Sequence, residues 1–234
     1  MNNLNCPSAS DFHPHKAYQD EFVRDLFTIN LVKFSYASFF RAFKIKKLDL
    51  LSIFVKTGQY KESQKTNEFL RVNSEIITNS LIDYILICIS FENYFKAKLL
   101  QNGFLIHEIN RQRQPELNKK QRDVPIETKL VVIPKDYKNS DVNLKTLNYS
   151  LLLENKEYSK YYNVDPFTIE YLKDINNMRN DLHLHMSETL KLSCAEINSL
   201  ENLKKIVEVD FVILYESLSR KMGVHDSSNL RIPK

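Results

Sequence analysis

A chain of 234 residues with 43% hydrophobic and 26% charged residues is long enough to bury its own core and too apolar to stay wholly disordered. Only 3 glycines and 7 prolines are present, which argues against sandwiches and barrels that turn at short intervals and against Gly-rich phosphate cradles. Lys and Arg total 33 against 29 Asp and Glu, and the net charge of +4 permits a polyanionic partner without demanding one. Cys6, Cys88 and Cys194 lie far apart and form no pair with zinc-ligand spacing, so neither a disulfide framework nor a structural metal is expected. The first sixteen residues lack the basic region and apolar run of a signal peptide. The most apolar stretch, Leu81 to Phe91, is too short for a bilayer and holds Asp83. The expectation is a soluble cytoplasmic protein that makes no membrane contact.

No proline occurs between His15 and Gln114, and only Gly58 and Gly103 interrupt that half, so long helices are expected. Phe22, Leu26, Ile29, Tyr36, Phe40 and Phe43 recur at helical spacing and predict a helix over about 16 to 44 with one aromatic face turned to the core. A short apolar piece, Leu48 to Val55, ends at Gly58. The polar stretch Gln59 to Lys65 leads to a second long helix over about 67 to 102, with Gly103 as its C′ residue. The segment from about 104 to 138 reads as a long loop or small β-hairpin inserted into a helical fold. It contains the basic run RQRQPELNKKQR, and β-branched residues between Pro125 and Pro134 suggest a strand.

Helices are expected to resume near 141. Asp165 and Pro166 form an N-cap and N1 pair for a helix reaching about 190. Ser193 and Glu196 form a capping box for a last helix ending at Gly223, followed by a polar tail. Residues 1–66 form an N-terminal helical extension packed on a bundle of residues 67–222, and 223–234 are the tail.

The helix opened by Pro166 is apolar at Phe167, Ile169, Leu172 and Ile175. It then changes character: seven of the ten residues 176–185 are polar or ionisable. Asn and Asp are poor helix-interior residues because their side chains compete for backbone hydrogen bonds, and functional sites are where such local rules tend to be broken. The plainer reading is a polar helix end with Arg179, His183 or His185 as last-turn cations.

Arg179-Asn180 followed by His185 resembles the RNxxxH-type signature of the HEPN superfamily, whose general form is Arg, four to six residues, then His; the commoner spacing falls on Leu184. Ser90-Phe91-Glu92-Asn93-Tyr94-Phe95-Lys96-Ala97-Lys98-Leu99-Leu100 is similar to the HEPN helix in which an acidic residue, a Lys and paired apolars precede an insertion. The resemblance covers about residues 67–222 with the insertion excepted. It implies an all-α, HEPN-like helical bundle that forms a homodimer and cuts RNA without a metal or other cofactor. It also implies work as a toxin or phage-defence effector, with an antitoxin or defence-system partner. Arg179 would stabilise charge on the phosphate, His185 would be the acid or base, and Asn180 would orient the cluster. Related bundles controlled by nucleotide transfer carry a Tyr two residues after the motif His; here that residue is Ser187.

These residue types suit the chemistry. His moves protons near neutral pH, and the planar donor fork of Arg fits a phosphate. At about 100° per residue, Arg179 and His183 lie about 40° apart and Arg179 and His185 about 120° apart, so His183 stays open as the same-face partner. Arg111, Arg113, Lys119, Lys120 and Arg122 could track an RNA backbone or form a solvated loop, and Arg41, Lys44, Lys46 and Lys47 read the same way. Glu92 and Lys96 are spaced as a helix-surface ion pair, with support of the site as the alternative. His13-Pro14-His15 could bind a metal, but the plainer reading is an inert, disordered segment. The alternative to an enzyme is an inactive HEPN-like module that binds RNA or a protein.

Overall fold

The computed structural model describes residues 13–59, 67–109, 130–133, 135, 138, 142–181 and 194–223, with side chains described for those outside 44–81 and 181–198. Of the described residues, 74% are helical and one sheet has two strands, so the chain is an all-α protein with a small hairpin. In chain order the elements are α1 (Pro14–Ala17), α2 (Glu21–Gln59), α3 (Asn67–Gln101), β1 (His107–Ile109), β2 (Val142–Thr146), α4 (Tyr149–Glu154), α5 (Lys156–Ser159), α6 (Pro166–Asp181), α7 (Cys194–Ile206), a π-helical turn (Val207–Phe211) and α8 (Val212–Lys221). Among the described residues no helix is long and apolar enough to cross a membrane.

The helix expected from 16 starts later and runs further. His13-Pro14-His15 is ordered rather than loose: Pro14 takes the first position of α1, where a missing N–H costs nothing, and His15 is buried. Asp20 then caps α2 by accepting from the N–H groups of Phe22 and Val23 at 2.9 and 3.2 Å. The separate apolar piece expected at 48–55 is part of α2, which continues through Gly58. One glycine costs a helix only about 1 kcal/mol, and α2 ends one residue beyond it.

The aromatic face was also misplaced. Ile29 and Tyr36 are buried, but Phe22 is 60% exposed and Leu26 is exposed with it. The buried face is Asp25, Thr28, Ile29, Val32, Ser35, Tyr36, Phe39 and Ala42. Polar residues enter it because they bond to their own helix: Thr28 Oγ1 donates to Arg24 O at 2.8 Å and Ser35 Oγ to Leu31 O at 2.7 Å.

α3 closes as expected. Gly103 takes φ +79°, its N–H donates to Leu100 O, and Phe104 N–H donates to Leu99 O, which is a Schellman ending. Of the strand expected over Ile126 to Ile133, residues 130–133 are described, and among them Val132 forms an isolated bridge with Phe104. The hairpin instead pairs β1 antiparallel with β2, His107 opposite Thr146, and helices resume at Tyr149 rather than near 141. Val142 is the one buried residue of β2, so its sequence gives little alternation to read. Asp165 caps α6, accepting from Thr168 N–H at 2.9 Å and Thr168 Oγ1 at 2.6 Å. α7 begins at Cys194; its Ser193 cap lies outside the described residues. The single last helix is interrupted by the π-helical turn.

The described contacts divide the chain into two compact units. One comprises Met1–Asn30 and Phe95–Asn163. Its core stacks Phe95 on Tyr162 at 3.9 Å between ring centroids, and the Tyr162 hydroxyl donates to Leu152 O at 3.0 Å. Asn148 and Asn155 cap α4 and α5, and Asn163 takes the left-handed φ of 56° that Asn tolerates. The other unit comprises Leu31–Tyr94 and Val164–Lys234. Here Phe211 stacks on Tyr94 at 4.0 Å and meets Phe91 edge-on, and Ser90 Oγ donates to Ser35 O at 2.7 Å.

Candidate functional site

The apolar spine of α6 is Ile169, Leu172 and Ile175, all buried, and Asn176 is buried with them. Seven residues after Leu172, two helical turns on, Arg179 falls on the same face. Its stem therefore follows the core-facing side of α6, and the residue is half-buried.

The guanidinium is held at two places. Nε and Nη2 both donate to Asn180 Oδ1, at 3.3 and 3.2 Å. A further hydrogen bond goes to the thiol of Cys88 on α3. Cys88 is fully buried, one turn before Glu92, whose charge it also feels. Burial pushes the Cys88 thiol up to about 12, against the pull of the Arg179 charge and hydrogen bond and with a smaller push from Glu92. Cys88 is thus a neutral thiol near neutral pH, suited to hold Arg179 and unsuited to be a nucleophile.

Of the residues singled out in the sequence, Arg179 and Asn180 are brought together, and Arg179 meets the helix that carries Glu92. His183 and His185 lie outside the described residues, as do Arg111, Arg113, Lys119, Lys120 and Arg122. Arg41 is exposed on α2. Lys96 is not on the surface: it is 5% exposed and its ammonium donates to Thr146 Oγ1 at 2.8 Å. Among the described residues no three His, Cys, Asp or Glu side chains are grouped to hold a metal ion.

Two features were not anticipated. Cys88 gives no local sign of its role, because its contact comes from a helix some ninety residues away; its position one turn before Glu92 is the only trace. The second is a buried polar group at the hairpin: Lys96, Thr146, His107 and Tyr18. The His107 ring lies 5.6 Å from that of Tyr18, and burial, then the Lys96 charge, brings the imidazole down to about 4. Burial likewise raises Tyr18 far above its ordinary value. His107 and Tyr18 are therefore neutral near pH 7.

Comparison with family models, with curated proteins and with solved structures finds no match in any of the three.

Proposed function

We propose that the chain is a metal-independent endoribonuclease of the HEPN type, acting in the cytoplasm as a toxin or phage-defence effector. The observation that carries this reading is Arg179, half-buried near the end of α6 and fixed by Asn180 and by Cys88 of α3. Cys88 lies on α3 one turn before Glu92, in the helix that carries the other part of the sequence resemblance.

Cleavage through the RNA's own 2′-OH has three needs. A base removes the hydroxyl proton, a fixed donor meets the charge that grows on the phosphorane, and an acid protonates the leaving 5′ oxygen. Arg179 is the donor: its planar fork is already oriented, so little rearrangement is needed when charge develops. His185, with His183 as the alternative, exchanges the protons. One Arg/His set per chain is a small catalytic apparatus, and a homodimer would bring two sets to one cleft. Arg111, Arg113, Lys119, Lys120 and Arg122 would contact the phosphate backbone, with Arg41 as a further candidate.

Incubating the purified chain with RNA in excess chelator should release fragments ending in 2′,3′-cyclic phosphate and starting with 5′-OH. RNA methylated at every 2′ oxygen should bind and stay intact. An active enzyme that cuts the methylated RNA, or that needs a divalent metal, would overturn the reading. RNA binding with no cleavage would favour the inactive module.

A further inference from the structure

The root of the β1–β2 hairpin is built around His107. It pairs in register with Thr146, and just beyond that pair Leu147 N–H donates to Ile106 O at 2.9 Å. The side chain is 7% exposed, and its Nδ1 meets no hydrogen-bond partner among the described residues. On the same side of the pleat, Thr146 accepts the Lys96 ammonium from α3 at 2.8 Å, which sets a positive charge beside the ring. Tyr18, from the turn after α1, covers it with a neutral phenol ring. α1 packs on β2 and contributes the buried His15. The ion pair of Glu108 and Lys145, at 2.8 Å, belongs to residues adjacent to His107 and Thr146 and so faces the other side of the sheet.

We propose that His107 is an acid-sensitive latch: its protonation places a second cation beside Lys96, and the β1–β2 pair lets go of the core of its unit. An imidazolium in that position has burial and a like charge against it, and its way to water is outward, which breaks the register with Thr146. A base held below its ordinary value gives full stability above that value and loses it as pH falls from 6.5 towards about 4. The latch acts on the hairpin and does not depend on the ribonuclease reading.

Hydrogen exchange and imidazole titration test it on the whole chain. Between pH 7.5 and 5, after correction for intrinsic exchange, the protection of the Leu147 amide should fall roughly 30-fold, as linkage to one such group gives. Amides of α7 and α8 should keep theirs. His107→Gln should retain hairpin protection at pH 7.5 and lose its acid dependence. NMR titration of the wild-type His107 ring should give a midpoint well below 6.5. An ordinary midpoint, flat hairpin protection in the wild type, or an equal fall in His107→Gln would overturn the latch. Should His107→Gln fail to fold, the two wild-type measurements decide alone.

Discussion

Two cations are seated on or against α3 in opposite ways. Lys96, in the unit of Met1–Asn30 and Phe95–Asn163, is 5% exposed and directs its ammonium to Thr146. Arg179, in the unit of Leu31–Tyr94 and Val164–Lys234, is half-buried, with Asn180 at its exposed side and the Cys88 thiol at its buried side. An ammonium sealed in this way belongs to the packing, whereas a guanidinium that is fixed yet still reaches water can meet a phosphate. Burial therefore separates a structural cation from a candidate catalytic one, where residue type alone does not.

The largest expected effects fall on the cores behind these cations. Phe211→Ala removes the ring stacked on Tyr94, and Phe95→Ala the ring stacked on Tyr162, one residue from Lys96. Each should cost about 3–5 kcal/mol in urea unfolding. Phe167→Ala, at a residue 66% exposed, should change stability by less than about 0.5 kcal/mol. If Phe95→Ala is as mild as Phe167→Ala, the seat of Lys96 is not a packed core.

Next in size is Lys96 itself. Lys96→Ala leaves Thr146 without its donor and opens a gap, and should cost about 2 kcal/mol. Lys96→Met keeps the stem and should cost much less. It should also raise the midpoint of His107, because the Lys96 charge helps hold that imidazole down. An unmoved midpoint in Lys96→Met would separate the two residues and weaken the contrast with Arg179.

Smaller still is the cap of α6, the helix that delivers Arg179. Asp165→Ala should cost about 1 kcal/mol at pH 7. Thr168 holds the Asp165 carboxyl below its ordinary value, chiefly by the side-chain hydrogen bond. That stability is present above the ordinary value of 3.8 and lost as pH falls through the lowered one. The gap between wild type and Asp165→Ala, followed by thermal unfolding, should therefore narrow in strong acid.

Features set by neighbours in sequence were legible: the Gly103 ending of α3, the Asp165 cap of α6 and the helical content. Features set across space were not. The buried face of α2 includes Thr28 and Ser35, whose bonds to their own helix hide their polarity, so counting aromatic residues rotated that face towards Phe22 and Leu26. β2 escaped notice because one buried valine makes no pattern. Arg179 and Asn180 could be singled out because polar residues crowd a helix there. Cys88 could not, since only the folding of α6 against α3 gives that thiol a partner.

The central claim is that Arg179 works on RNA while Lys96 works on the fold, and one experiment sets them side by side. Wild type, Arg179→Ala and Lys96→Met are compared for cleavage of one RNA in chelator, with urea unfolding of each. Arg179→Ala should unfold within about 1 kcal/mol of wild type. It should cut about 100- to 1000-fold more slowly, the size of effect expected when a fixed donor to a developing oxyanion is lost. Lys96→Met should cut at nearly the wild-type rate. If Arg179→Ala cuts as fast as wild type, or if Lys96→Met is the slower of the two at equal stability, the account is contradicted.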